Sequence, residues 1–146
     1  MKLSNKGRYA VMAMADLAKT RSNCPINLTE ISLRQGISIA FLEQIFLKLK
    51  RKNLVESSRG PAGGYMLSKA PEEIKLSCII SAVDEKVKTI ACKKESKKGC
   101  NGKSVKCITH NLLDDLEKHI NIFFEQNTLK DIIYKDNKRQ QRELNS

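Results

Sequence analysis

The sequence lacks any apolar run near the roughly 20 residues that a helix needs to cross a bilayer. It begins Met1-Lys2-Leu3-Ser4-Asn5, without the apolar core of a secretory signal. Its five cysteines are an odd number, which argues against a secreted framework of disulfides. We therefore expect a cytoplasmic protein with reduced thiols.

Enzyme signatures are also missing. The glycine-rich stretch at residues 59–64 is not followed by Gly-Lys-Ser/Thr, which disfavours the phosphate-binding loop of an NTPase. No candidate base is paired with a nucleophile, and His119, alone on a predicted helix, is expected at the surface. The chain is not expected to be an enzyme.

At 146 residues the length suits one compact domain with an extension. The net charge of +11 is unevenly distributed along it. Residues 1–70 carry 12 Lys or Arg against 4 Asp or Glu, a net of +8, whereas residues 71–146 carry 15 against 12, a net of +3. The first half is therefore the better candidate for binding a polyanion.

Apolar spacing in the first half predicts a helix-turn-helix. A mostly apolar helix is expected from about residue 4 to residue 19, and a second from Leu28 to Gln35, where Gly36 stops it. Ser38 can cap a third helix that reaches about residue 52. Two helices joined by a tight turn containing glycine form this motif.

The third helix has an apolar face and a polar, basic face. Leu42, Ile45, Phe46 and Leu49 share the apolar face at helical spacing, and Leu47 points outward with the polar residues. Polar groups near the helix start suit base edges, and Lys or Arg near its end suit phosphates. The alternative is an ordinary charged surface. The candidate DNA-binding residues on this helix are Ser38, Ala40, Glu43, Gln44, Lys48 and Arg51, with Lys50 and Lys52 also suited to phosphates.

A hairpin is predicted directly after this helix. Residues 54–58 and 65–67 are strand candidates, and the stretch between them has the Gly and Pro of a turn. A hairpin in this position is a wing. Arg59 at its start is expected near DNA, in a minor groove or on a phosphate; the alternative is a plain surface turn.

Three cysteines and one histidine, Cys92, Cys100, Cys107 and His110, fall within nineteen residues. No apolar periodicity there would bury them as core, so they predict a metal or cluster site. The eight lysines between residues 86 and 106 would partly offset the charge of an anionic cluster, or are simply solvated. Zinc is the competing metal. Structural zinc sites usually start from two cysteines that lie two to four residues apart, and this segment has no such pair, which favours a cluster over zinc. Cys24 and Cys78 are expected as buried small apolar residues.

The last third of the chain predicts a long amphipathic helix from residue 109 to about 126. It is preceded by a short helix, capped by Ser77 and running through about residue 84. The apolar residues on one face of the long helix form a stripe that is larger than a small winged domain can cover. We therefore expect two chains to associate through this stripe; the alternative is that the helix packs on its own domain. The candidate dimerisation residues are Leu112, Leu113, Leu116, Ile120, Phe123 and Phe124.

Five short stretches of the sequence are distinctive when taken together: Lys6-Gly7-Arg8-Tyr9-Ala10-Val11, Glu43-Gln44, Arg59-Gly60-Pro61 with Gly63-Gly64-Tyr65, Ile80-Ser81-Ala82-Val83-Asp84-Glu85 and Cys107-Ile108-Thr109-His110. With these motifs the chain resembles, over residues 1–133, the IscR family of iron-sulfur cluster assembly regulators. The expected fold is mostly α (α+β), a winged helix-turn-helix domain with a long C-terminal dimerisation helix. We assign residues 1–84 to the winged domain, 85–108 to a cluster-binding loop, 109–133 to the dimerisation helix and a docking turn, and 134–146 to a disordered tail.

The resemblance implies a homodimeric transcription factor that binds double-stranded DNA and holds a 2Fe-2S cluster. The implied ligands are Cys92, Cys100, Cys107 and His110, and the implied DNA contacts are Ser38, Glu43, Gln44 and Arg59. Iron-sulfur assembly proteins would supply the cluster, and their genes would be the targets. The remaining alternatives are a regulator that responds to nitric oxide or cysteine, and a small iron-sulfur electron carrier.

Overall fold

The computed structural model describes residues 4–20, 24–83 and 108–146. Its elements, in chain order, are α1 (Asn5–Lys19), α2 (Leu28–Gln35), α3 (Ile39–Arg51), β1 (Val55–Ser58), β2 (Gly64–Leu67), a 3₁₀ turn (Pro71–Glu73), α4 (Leu76–Ala82), α5 (His110–Gln126) and α6 (Leu129–Leu144). The predicted helix-turn-helix and hairpin are thus confirmed. Within these described ranges, no helix combines the length and apolar character needed to cross a membrane.

The turn between α2 and α3 forms as the sequence predicts. Gly36 ends α2 with a φ of 66°, a left-handed conformation that glycine adopts without a steric penalty. The side chain of Ser38 then accepts a hydrogen bond of 3.3 Å from the backbone N–H of Phe41 and so caps α3. These two residues fix the direction in which α3 leaves α2.

An ion pair between a partly exposed arginine and a buried aspartate joins α1 to the helix-turn-helix. The buried carboxylate of Asp16 accepts three hydrogen bonds from the Arg34 guanidinium, of 3.2 and 3.0 Å from Nε and 2.7 Å from Nη2, and one of 2.8 Å from the Gln35 amide. A guanidinium that donates through two nitrogens fixes orientation as well as distance. The contact therefore holds α2 at a defined angle to α1.

The hairpin is antiparallel and pairs Val55 with Leu67 and Ser58 with Gly64. It is held to the rest of the domain by two backbone hydrogen bonds between Ile26 and Tyr65, of 3.0 and 2.8 Å. A Cβ atom at Gly64 would lie 2.3 Å from the Ile26 carbonyl oxygen, so only glycine permits this approach. The wing is consequently fixed at its base.

The C-terminal helices are joined to the winged domain by both backbone and core contacts. The backbone N–H of Leu76 donates to Asn127, and that of Leu129 donates to Ile74, at 3.0 and 2.9 Å. The Leu129 side chain is fully buried in the same core as Phe46 of α3. The junction between α5 and α6 is therefore part of the winged domain's own packing.

Two local predictions in the middle of the chain are wrong. Helix α4 begins at Leu76 after Lys75, so Ser77 lies inside the helix and does not cap it. Cys24 and Cys78 are exposed, not buried. Cys78 points outward because α4 buries Leu76, Ile79 and Ile80, which leaves position 78 on the opposite side.

The predicted disordered tail over residues 134–146 is also wrong, because α6 continues to Leu144. The Thr128 hydroxyl accepts from the backbone N–H of Asp131, and the Asp131 carboxylate accepts from the backbone N–H of Thr128. This reciprocal cap starts the helix, and its hydrogen bonds lower the pKa of the Asp131 carboxyl. An ion pair between Lys19 and Asp136 then joins α6 to α1.

Candidate nucleic-acid interface and metal centre

The outer face of α3 presents the side chains that the sequence predicts to contact DNA. Ser38, Ala40, Glu43 and Gln44 are exposed, as is Arg51, while Lys48 is partly buried. The opposite face is packed into the core through the four predicted apolar residues, Leu42, Ile45, Phe46 and Leu49. The helix thus offers hydrogen-bonding groups at its start and basic groups at its end, an arrangement suited to base edges and phosphates.

The wing and α3 form one unit. The rings of Phe46 and Tyr65 lie 4.7 Å apart between their centroids, and Lys50 Nζ donates to Ser57 Oγ at 2.5 Å. Arg59 follows β1 directly and is exposed. Because the Phe46–Tyr65 and Lys50–Ser57 contacts join the hairpin to α3, the end of β1, where Arg59 follows, has a defined position relative to α3.

One further basic residue belongs with this surface, although the sequence analysis missed it. Lys6, in the first turn of α1, lines a small cavity together with Gln44 and Lys48 of α3. Basic charge in the first seventy residues was the signal that could have indicated it, but only the fold brings α1 beside α3. Lys6 suits a phosphate contact next to Gln44.

Of the four predicted metal ligands, the structure describes only His110. Cys92, Cys100 and Cys107 lie outside the described residues, so the ligand set stays a prediction. His110 is the first residue of α5, as expected, and is partly exposed. The N-terminus of a helix carries a partial positive charge, which suits an anionic cluster. In residues 4–20, 24–83 and 108–146, no three His, Cys, Asp or Glu side chains come together as a metal site.

Helix α5 buries none of its residues completely in the single chain. Leu112 is 68% exposed and Phe123 is 52% exposed, and both lie on one side of the helix. Leu113, Leu116, Ile120 and Phe124 are half-buried, and Phe124 packs against the hydrophobic core. The inner edge of the predicted stripe is thus partly covered by its own chain, while the outer edge presents large apolar side chains to solvent.

Known proteins are similar to this chain in sequence and fold. The family model for Rrf2, described as an iron-dependent transcriptional regulator, matches residues 3–135. The HTH-type transcriptional regulator IscR of Aliivibrio salmonicida is 47% identical over 97% of this chain and 82% of its own length. The IscR of Serratia proteamaculans is 45% identical over 91% of this chain and 79% of its own length. These relatives are named as transcriptional regulators, a non-enzymatic class.

Solved structures of two such regulators confirm the winged-helix fold class. IscR of T. potens matches with a TM-score of 0.75 and 31% identity, over 96% of this chain and 91% of its own. CymR, the global cysteine regulator of B. subtilis, matches with a TM-score of 0.75 and 26% identity, over 92% and 97%. The chain is therefore a DNA-binding transcriptional regulator, and it belongs to the Rrf2 family of iron-dependent transcriptional regulators.

Proposed function

We propose that this chain is a homodimeric regulator that reads specific DNA sequences and reports iron-sulfur status through a 2Fe-2S cluster. The observation that carries the proposal is the position of His110, a predicted ligand, at the start of α5. The same helix carries the exposed apolar edge predicted to pair two chains. A residue predicted to bind the cofactor and the surface predicted to form the dimer would thus lie on the same helix, α5.

Cys92, Cys100, Cys107 and His110 would hold the cluster. Three thiolates and one imidazole match the soft and borderline ligands that iron-sulfur clusters accept. When bound, the cluster supplies a redox-active group whose presence depends on the supply of iron and sulfide. Iron-sulfur assembly proteins would load it, and genes for cluster assembly would be the regulated targets, as the resemblance to the IscR family implies.

A response to cysteine is the second candidate, favoured by the fold shared with CymR. That regulator is 26% identical to this chain, whereas the IscR of Aliivibrio salmonicida is 47% identical. The higher identity to IscR and the four candidate ligands favour the iron-sulfur proposal over this second candidate. A spectrum of the anaerobically purified protein, with iron, zinc and sulfide analysis, separates the two proposals.

Cluster loading is expected to change which DNA the protein binds. Because His110 begins α5, a ligand bound there would influence the spacing of the two winged domains. Allosteric coupling of this kind is typically worth about 5- to 150-fold in affinity. The test selects binding sites from a randomised DNA pool with apo and loaded protein at one fixed salt concentration, since affinities at different salt are not comparable. Identical sites and affinities would leave the cluster without a sensing role.

Replacing Gln44 or Arg59 by alanine is expected to weaken binding to the cognate site by about 1–3 kcal/mol if either side chain reads a base. Binding to random DNA should weaken less, because phosphate contacts elsewhere persist. Arg142→Ala, which removes one positive charge from the end of α6, is the control and should change both affinities little. If the substitutions weaken binding equally on all DNA sequences, Gln44 and Arg59 contact phosphates and do not read bases.

A further inference from the structure

Leu47 lies at the centre of the outer face of α3. Its side chain is 50% exposed. Positions 40 and 47 are seven residues apart, about two turns at 3.6 residues per turn, so Ala40 and Leu47 lie on nearly one line along the helix. This line is opposite the buried residues of α3 and passes between Glu43 and Gln44. Leu47 therefore shares the surface that α3 would present to bases.

The chemistry around Leu47 makes its position informative. Glu43 and Gln44 precede it by about one turn, and Arg51 follows by about one turn. A single exposed leucine is ordinary on a protein surface, but this one lies among the candidate base-reading side chains of α3. Its side chain cannot donate or accept a hydrogen bond, so it cannot bind the polar edges of bases or the phosphates.

The major groove offers one apolar group, the C5-methyl of thymine. We infer that Leu47 contacts a thymine methyl and so specifies that base in each half-site. The inference rests on the proposed function, in which α3 enters the major groove. Leu47 lies about 4.5 Å beyond Gln44 along the helix axis, so the thymine is expected one to two base pairs from the base that Gln44 reads.

The test removes the methyl group from DNA rather than only the side chain from protein. The cognate site is first selected with unaltered protein, and each thymine is then replaced, one at a time, by deoxyuridine. At one thymine of a half-site, the loss of the methyl should weaken binding about fourfold, which corresponds to ~0.8 kcal/mol for one buried CH₂-sized group. The other thymines should respond less.

Leu47→Ala supplies the second arm of the experiment. Alanine is a strong helix former and the site is exposed, so α3 should stay folded; circular dichroism and thermal unfolding check this. The variant should bind thymine-containing and deoxyuridine-containing sites equally. Leu33→Ala is the matched control, because Leu33 is 81% exposed on α2, away from the outer face of α3, and should keep the fourfold difference.

Two outcomes would overturn the inference. One is equal binding of the unaltered protein to thymine and deoxyuridine at every position, and the other is a methyl preference that survives in Leu47→Ala. Gln44→Ala separates this failure from failure of the proposed function. If Gln44→Ala weakens cognate binding while the methyl has no effect, α3 reads bases without Leu47. If neither change matters, base readout by α3 is itself wrong.

Discussion

Alanine at any one of Cys92, Cys100 or Cys107 is expected to abolish stable cluster binding. The purified variant should be colourless and should contain little iron or sulfide, whereas the unaltered protein, purified without oxygen, should be coloured. Thiolates are the ligands that hold iron-sulfur clusters, and the proposed set contains only three of them. With one removed, the two remaining thiolates and His110 leave one ligand position vacant. Absorption spectra with iron and sulfide analysis measure the loss.

The chain supplies its own controls for this experiment. Cys24 and Cys78 are exposed cysteines in the described part of the structure, so Cys24→Ala and Cys78→Ala should stay coloured. His110→Ala should retain thiolate ligation but hold the cluster loosely or at a shifted potential. An unaltered protein that is colourless and carries one tightly bound zinc per chain would contradict the cluster assignment and support the competing metal.

The helix-turn-helix could be predicted because its signals are local. Gly36 and Ser38 are adjacent stop and start signals, and four apolar residues at helical spacing identify the buried face of α3. The hairpin could also be predicted, from the glycines of its turn and the strand candidates on either side of it. These signals also identified the outer face of α3, so the candidate DNA surface followed from the sequence before the structure placed it.

Other features could not be predicted because they depend on contacts between distant parts of the chain. Two contacts join elements that are far apart in sequence. One is the backbone bridge between Ile26 and Tyr65, and the other is the contact of α1 with α3 at the small cavity that Lys6 and Gln44 line. Residues 135–143 of α6 are all polar, which is the composition of a disordered tail, yet they continue a helix that is capped at Thr128 and joined to Lys19 by an ion pair. Tertiary context overrides composition at these positions.

Leu112→Asp is expected to convert the proposed dimer into monomers. In the part of the chain that the structure describes, Leu112 is 68% exposed and lies on the outer edge of α5, away from the core that Phe124 contacts. A carboxylate buried there against a second copy would lose its hydration without gaining a partner, at a cost of several kcal/mol. Sedimentation or light scattering at micromolar concentration should report half the mass of the unaltered protein.

The same substitution should sharply weaken binding to DNA. A dimer binds two half-sites about one helical turn, roughly 34 to 36 Å, apart. Joining two binding domains raises overall affinity by about 10²- to 10⁴-fold, so a monomer should lose on that order at the full site and little at an isolated half-site. Leu144→Asp is the matched control, because Leu144 is 85% exposed at the end of α6. If Leu112→Asp stays dimeric and Leu144→Asp does not, α6 rather than α5 carries the interface.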